Sequence, residues 1–321
     1  MSLFKPIPFF SGPMVQSFLA SFKSNSDKLY GKNHNGIWKS IKTKEGVTLL
    51  AKVHEVTNPK GIVILVHGWE GSINSSYIIR TTKHFLAKDF SVYRLNLRDH
   101  GDTHHLNEGI FNGSLLAETY DGVLDLSKSN KTKLPIYLAG FSLGGNFVLR
   151  MASRHSSAKA DNKIPGLKHC FAFSPALDPK RATIKMDEHP FLRKYFLKSW
   201  KSSLVKKGEL FPHLYSFHDL DRYQTVMDLT DKMVKEFSKF GSVDEYFNSY
   251  TLNDLFFKSI QVPTTILTSM DDPVIPWKEF TEIPSSAFLE VVIESKGGHC
   301  GFIEDWKRSS YYWRIMEKKM G

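Results

Sequence analysis

Cysteine is scarce in this chain of 321 residues, which contains only Cys170 and Cys300. The two cysteines have no metal-type spacing, which argues against a cysteine-based metal site. Cys170 also lies in an apolar run that is typical of a buried strand. This cysteine usage suits a reducing compartment, and we expect a cytoplasmic protein.

Long hydrophobic runs are also missing. The longest, residues 62–66, is far shorter than the roughly 20 residues that cross a bilayer, so we expect no transmembrane anchor. The N-terminal residues 1–22 are apolar and aromatic, but Pro6, Pro8 and Pro13 interrupt them. Because no small-residue cleavage pattern follows, we predict folded sequence there and not a signal peptide.

Basic clusters are absent, although the formal net charge is +10. The basic residues are dispersed and never more than two stand in succession, which predicts a solvated basic surface and no nucleic-acid partner. Internal repeats and low-complexity tracts are absent as well. With 41% hydrophobic residues, the chain is predicted to form one domain that carries an insertion.

Strand and helix patterns alternate along much of the chain. Residues 47–56 and 61–66, separated by the turn-forming residues 58–60, predict two neighbouring strands. Further along the chain, helical segments long enough to connect two strands alternate with strand patterns. Such connections imply parallel pairing through right-handed crossovers, so we predict an α/β fold with a mostly parallel, doubly wound sheet. The later helical patterns are residues 76–88, 114–127 and 143–154, and the later strand patterns are residues 90–97, 134–141 and 167–173.

The alternation stops after Pro175 and resumes with strand patterns at residues 264–268 and 288–293 and a helix from about Glu304. The intervening sequence is helical in pattern and rich in aromatic residues. We therefore predict an α/β core formed by residues 1–175 and 258–321, with a helical cap at residues 176–257. Within the cap, residues 191–207 predict an amphipathic basic helix whose apolar stripe packs on the core, or alternatively faces lipid or an acyl chain. The stripe is Leu192, Phe196, Trp200 and Leu204.

Ser142 lies in a Gly-x-Ser-x-Gly pattern, residues 140–144, that follows a predicted strand and opens a predicted helix. In that context the pattern predicts a nucleophile elbow, a sharp turn that exposes the serine hydroxyl. The alternative is a structural turn without chemistry. A helix that begins at this point directs free N–H groups towards the reacting centre, so Leu143 N–H is the first predicted oxyanion donor.

The second oxyanion donor is predicted in residues 66–71, which directly follow a strand and contain two glycines. Trp69 N–H is the preferred donor, with an ordinary glycine turn as the alternative. His67 is expected to steady this loop and not to transfer protons.

His299 is the predicted general base, because it follows a strand near the end of the chain and completes the order serine, acid, histidine. The acid is predicted at residues 270–276, just past another strand, where Asp272 is preferred over Asp271 and Asp178 is a distant third. A surface histidine and an Asp-Pro turn without catalytic duty are the alternatives.

A second histidine cluster precedes the serine and could suggest a metal site. It contains His100, His104 and His105, with Asp99 and Asp102 nearby. Its spacing matches no familiar ligand pattern, so we predict a solvated loop and neither metal nor cofactor. Cys300 is expected to be a small packing residue, because its side chain and that of His299 point apart on an extended backbone.

At these motifs the chain resembles the YheT-like branch of the α/β-hydrolases, a group regarded as esterases and lipases with some acyl-transferring relatives. The resemblance implies a triad of Ser142, Asp272 and His299. Residues 96–101 depart from the arginine–glycine turn that is more usual there, since Asp99 and His100 intervene. The matching segments are residues 8–13 with Gln16, residues 67–72, 140–145, 271–273 and 298–302.

The expected function is therefore hydrolysis of carboxylic esters through an acyl-enzyme. Transfer of the acyl group to an alcohol or thiol uses the same triad and stays open as an alternative. A third alternative is a catalytically silent binding or membrane-associated module. An aromatic roof over the site favours an apolar acyl group and allows peripheral membrane contact.

Overall fold

The computed structural model describes residues 4–24, 27, 36–128 and 134–321. Its centre is one sheet of eight strands, which are β1 (Ile37–Lys42), β2 (Thr48–His54), β3 (Gly61–Val66), β4 (Phe90–Leu95), β5 (Ile136–Phe141), β6 (Leu167–Phe173), β7 (Thr264–Ser269) and β8 (Leu289–Glu294). Across the sheet their order is β1-β2-β4-β3-β5-β6-β7-β8. The pairs β1–β2 and β2–β4 are antiparallel and the other pairs are parallel. The predicted α/β class with a mostly parallel sheet is confirmed.

Two details of the strand prediction are wrong. The strands β2 and β3 are not neighbours, because the right-handed crossover from β3 leads into β4, which lies between them. Strand β1 was not predicted at all. It is an edge strand on which Ile37 and Trp38 are exposed, so its sequence lacks a clear alternation of buried and exposed positions.

Helices cover both faces of the sheet, and every residue of β3, β4 and β5 is buried as a result. Helices α2 (Ser76–Leu86) and α10 (Tyr311–Met320) pack on one face together with Phe302, and α3 (Leu116–Lys128) and α4 (Leu143–Ser157) pack on the other. Helix α10 begins seven residues later than the predicted Glu304. The residues before it form a turn closed by a bridge between Ile303 and Ser310.

The N-terminal segment is folded against the core from Phe4 onwards, and residues 1–3 of the predicted segment lie outside the described residues. Phe4 and Ile7 are buried, and helix α1 (Pro13–Ser21) follows them. Proline in the first turn suits the start of this helix, where no intrahelical N–H bond is lost.

Five helices lie between β6 and β7: α5 (Pro179–Glu188), α6 (Pro190–Leu210), α7 (Val226–Phe237), α8 (Val243–Asn248) and α9 (Asp254–Lys258). The amphipathic helix predicted at residues 191–207 is part of α6. Its stripe is divided between two environments, because Leu192 and Leu204 are buried in the hydrophobic core whereas Phe196 and Trp200 are partly buried and also line a cavity. Among the described residues, no helix is both long enough and apolar enough to cross a membrane.

Candidate active site

Ser142 occupies the sharp turn between β5 and α4. Its backbone has φ 53° and ψ −121°, a conformation that costs free energy in a residue with a side chain and is typical of functional turns. The flanking glycines are required because a side chain at either position would collide with neighbouring backbone atoms. A Cβ on Gly140 would lie 2.2 Å from the Gly144 carbonyl oxygen, and a Cβ on Gly144 would lie 2.3 Å from the His67 carbonyl oxygen. The motif is therefore glycine-rich because backbone packs directly on backbone there.

His299 lies between Ser142 and Asp272 and contacts both. Its Nε2 is 2.9 Å from Ser142 Oγ, and its Nδ1 is 2.9 Å from Asp272 Oδ2 and 3.1 Å from Oδ1. A carboxylate at Nδ1 favours the tautomer with the proton on that nitrogen. Nε2 then faces the serine with a free lone pair, which is the arrangement that a general base requires.

The two neighbouring aspartates have different contacts. The Asp272 side chain is fully buried, and its Oδ1 also accepts the N–H groups of Val274 and Ile275, at 2.8 and 2.9 Å. Asp271 Oδ1 instead accepts Gly298 N–H at 2.9 Å. The third candidate, Asp178, caps helix α5 by accepting Arg181 N–H. Of the three aspartates, only Asp272 contacts the imidazole.

The loop after β3 lies beside the serine. A Cβ on Gly68 would lie 3.1 Å from Ser142 Cβ, so a larger residue would press on the nucleophile. His67 holds the loop, because its Nδ1–H donates to the Gly68 carbonyl oxygen and its Nε2 accepts Leu97 N–H. Burial lowers the pKa of His67 to about 3, so the ring stays neutral. It steadies the loop, in keeping with the prediction.

Trp69 and Leu143 line the same cavity as Ser142. Leu143 is the first residue of α4, where a backbone N–H has no partner within the helix. Within the described part of the chain, no hydrogen bond occupies the N–H of either residue. Both N–H groups are thus available as donors, and donors of this kind stabilise an oxyanion when they face the reacting carbonyl.

The cavity above Ser142 has a volume of about 120 Å³ and is bounded on its far side by α5, α6, α7 and α8. Its wall is mostly aliphatic and aromatic, and none of the described residues that line it is Asp, Glu, Lys, Arg or His. Trp69 stacks on Phe196 and meets Trp200 edge-on, which joins the loop after β3 to helix α6. Prominent apolar lining residues are Phe111, Phe196, Trp200, Met233, Phe237 and Ile275.

Comparison with known proteins places the chain in a family. Residues 57–299 match the Hydrolase_4 family model, described as serine aminopeptidase, S33. The chain belongs to this family. It is therefore an α/β-hydrolase, and membership supports a hydrolase activity.

The relatives described next have low sequence identity to this chain. Abhydrolase domain-containing protein 2 of Drosophila melanogaster is 25% identical over 183 residues, which cover 53% of this chain and 45% of that protein. The match therefore spans less than half of the curated relative. The esterase Pf2001 of Pyrococcus furiosus is 16% identical with a TM-score of 0.58, covering 94% of this chain and 97% of that one. The 2,6-dihydroxy-pseudo-oxynicotine hydrolase is 16% identical with a TM-score of 0.56, covering 89% and 67%. At such identities the solved structures support the fold alone.

The residues that follow β8 include the histidine loop, residues 297–303, and helix α1 packs directly against it. His299 N–H donates to Ser17 Oγ at 2.8 Å, and Ser17 Oγ–H donates to the Pro13 carbonyl oxygen at 2.7 Å. Gln16 is fully buried. Its Oε1 accepts Ile303 N–H at 2.8 Å, and its Nε2 donates to the Ile303 carbonyl oxygen at 3.3 Å.

These two residues were missed as functional candidates at the sequence level. The sequence gives one signal for them: Gln16 and Ser17 are polar residues that follow Pro13 in a largely apolar segment. A buried polar side chain normally has a hydrogen-bond partner, so such a pair indicates a specific contact. The sequence does not identify the partner, which lies more than 280 residues away in the chain.

The second histidine cluster is not the predicted solvated loop. His100 and His104 are buried, and only His105 is exposed. His100 Nδ1–H donates to the Arg98 carbonyl oxygen, while His104 Nε2 lies 2.8 Å from Ser203 Oγ on helix α6. Among the described residues, no group of His, Cys, Asp and Glu has the geometry of a metal site. The cluster joins the loop after β4 to helix α6.

Asp99, in the loop after β4, completes that junction. Its Oδ1 accepts a hydrogen bond from Lys207 Nζ at 2.9 Å, and both side chains are buried. Its Oδ2 accepts Phe111 N–H at 2.8 Å.

Both cysteines are buried and free, and burial raises the pKa of the Cys300 thiol well above its ordinary value. Cys300 is therefore a packing residue, as predicted.

Proposed function

We propose that this protein is a serine esterase that hydrolyses carboxylic esters. The observation that carries the proposal is the continuous hydrogen-bonded chain from Asp272 through His299 to Ser142 at the wall of an apolar cavity. The esterase Pf2001, which shares the fold, is consistent with it. The sequence motifs further favour the YheT-like branch of the superfamily.

In the first half of the reaction, Ser142 Oγ attacks the acyl carbon while His299 Nε2 takes the hydroxyl proton. Asp272 holds the ring and stabilises the imidazolium that forms. The Trp69 and Leu143 N–H groups donate to the oxyanion, and losing one such donor typically costs about 3 kcal/mol of barrier. His299 then returns its proton to the leaving alcohol, which departs as the acyl-enzyme forms.

In the second half, water takes the place of the alcohol. His299 removes a proton from the water, the resulting hydroxide attacks the acyl carbon, and the proton passes to Ser142 Oγ as the carboxylic acid leaves. An added alcohol in place of water would make the same intermediate the donor for acyl transfer. The yield of new ester in the presence of alcohol separates the two activities.

The cavity supports an apolar acyl group as the part of the substrate that it encloses. Its wall offers aromatic and aliphatic contacts but no charged side chain among the described residues. Such a wall would leave the ammonium group of a peptide substrate without a counter-ion, which disfavours aminopeptidase activity despite the family's description. We propose that residues 176–257 act as a cap, because helices α5 to α8 roof this cavity.

The decisive experiment compares Ser142→Ala with Ser157→Ala, an exposed serine on the same helix. We expect Ser142→Ala to lower kcat on a chromogenic short-chain ester by about 10⁶-fold, and to abolish labelling by a fluorophosphonate. Ser157→Ala is expected to match the wild type in both assays. Full activity of Ser142→Ala would overturn the proposal. A panel of esters of increasing acyl length then defines the cavity's preference.

A further inference from the structure

Helix α1 carries large apolar side chains on its outward face. On its inward face Gln16 and Ala20 are buried, and Gln16 contacts the histidine loop. On the other side, Val15, Phe18 and Phe22 are exposed by 38%, 59% and 49%. A surface helix normally presents polar residues to water, and the packing among the described residues does not account for this face.

Two further aromatic side chains extend the apolar face. Phe9 is fully exposed, at 101%, and stands in a turn with φ 65° that is closed by a hydrogen bond from Phe10 N–H to the Ile7 carbonyl oxygen. A bulky residue in this left-handed region is strained, and no packing contact offsets that strain for an exposed ring. Trp306 is 70% exposed and meets Phe10 edge-on at 4.9 Å.

The aromatic face, defined as Phe9, Phe18, Phe22 and Trp306, has more exposed basic than acidic residues close to it in the chain. Three acidic groups lie nearby: Asp27 is buried and pairs with Arg308, Glu304 pairs with Arg314, and Asp305 accepts the Ser309 N–H. Arg308 also donates to the Phe22 carbonyl oxygen, which links the turn at residues 305–308 to the end of α1. The exposed cations on this side are Lys5, Lys23, Lys296 and Lys307.

We propose that the aromatic face binds an anionic phospholipid surface. Aromatic rings prefer the boundary between hydrocarbon and headgroups, and lysines beside them attract anionic headgroups. A second copy of the chain fits less well, because two identical faces would bring like charges together. The proposed docking surface is not on helix α6, because the apolar stripe of α6 packs in the core and forms part of the cavity wall.

The experiment is co-sedimentation of the full chain with vesicles of phosphatidylcholine alone, or of phosphatidylcholine and phosphatidylserine in equal parts. The wild type should bind the mixed vesicles and lose binding as salt is raised. The double substitution Phe9→Ala with Trp306→Ala should weaken binding by about tenfold or more, since each ring would lose its apolar contact with the bilayer. Leu255→Ala, at a position 77% exposed on helix α9, is the matched control and should bind like the wild type.

The wild type, the double aromatic variant and Leu255→Ala should hydrolyse a water-soluble short-chain ester at the same rate. This measurement separates docking from catalysis. Lys5→Glu with Lys307→Glu should lower binding to mixed vesicles while leaving that hydrolysis unchanged. Equal vesicle binding by the wild type and the double aromatic variant would overturn the proposal. So would the absence of binding by the wild type, or a wild-type dimer that Phe9→Ala with Trp306→Ala converts to a monomer.

Discussion

The nucleophile elbow and the histidine loop meet at the hydrogen bond between Ser142 and His299, and both contain glycines that pack on backbone, but side-chain acceptors also hold the histidine loop. At the elbow, Ser142 N–H donates to the Phe173 carbonyl oxygen, Gly140 packs on the Gly144 carbonyl group and Gly144 packs on that of His67. In the histidine loop, four backbone N–H groups donate to side-chain oxygens. These donors are residues 298, 299, 300 and 303, and the acceptors are Asp271, Ser17, Ser174 and Gln16.

The difference has a mechanical consequence for the site. Backbone contacts survive most substitutions except those that add bulk, whereas a contact made by a side chain disappears when that side chain is shortened. We therefore expect the elbow to tolerate no added atoms. The histidine loop should instead loosen when single polar atoms are removed from residues far away in the chain.

Apart from loss of the nucleophile itself, the largest effect is expected for Asp272→Asn. An asparagine can still accept the Val274 and Ile275 N–H groups, but its amide would donate to His299 Nδ1 and leave the proton on Nε2. The ring would then have no lone pair for the serine, and kcat should fall by about 10⁴-fold. Asp271→Asn keeps its bond to Gly298 N–H and should stay within a few-fold of the wild type. Equal losses in both variants would contradict the assignment of Asp272.

A smaller loss of activity, with a loss of stability, is expected for Gly140→Ala. The new Cβ would lie 2.2 Å from the Gly144 carbonyl oxygen, so the elbow must move. We expect the free energy of unfolding to fall by about 3 kcal/mol, measured by urea denaturation, and kcat to fall by about 100-fold. Gly12→Ala, whose Cβ would meet only Val15 at 3.9 Å, is the control. Unchanged stability in Gly140→Ala would show that the elbow is not held by backbone packing.

Ser17→Ala tests the histidine loop in the opposite way, by removing one oxygen. His299 N–H would lose its acceptor, and we expect kcat to fall by about tenfold at unchanged KM, with the chain still folded. Ser17→Thr keeps the hydroxyl and should restore activity, while Ser21→Ala, exposed on the same helix, should have no effect. If Ser17→Ala altered stability and KM but not kcat or the pH profile, Ser17 would be structural and not a positioning residue.

The smallest effect concerns Glu70, in the loop beside the elbow. Burial and the nearby Asp99 raise the pKa of Glu70 from 4.5 to about 8. Since the folded state favours the neutral acid, this contribution to stability is complete below pH 4.5 and is lost as pH rises to about 8. Glu70 is partly exposed, so solvent screening reduces the loss to about 1 kcal/mol. Glu70→Gln should flatten the decline in urea-unfolding free energy across this range, and a slope equal to the wild type's would contradict it.

Much of the fold was predictable because parallel strands buried on both faces must be nearly all apolar, as β3 and β5 are. Ser142 was also predictable, because the glycines that its sharp turn requires stand beside it in the same short segment of sequence. The exposed edge strand β1 has no such constraint, and it was missed. The pairing of β2 with β4 was also missed, because a crossover connection decides which strands become neighbours.

The sequence by itself determined the α/β class, the elbow and the order of the candidate residues, since each depends on local spacing and on hydrophobic periodicity. Only the tertiary structure decided between Asp272 and Asp271 as the partner of His299, because both follow the same strand and the turn sets which carboxylate faces the ring. It also brought Gln16 and Ser17 to the histidine loop and buried the histidines at 100 and 104. Those contacts join segments far apart in the chain, and no local pattern encodes them.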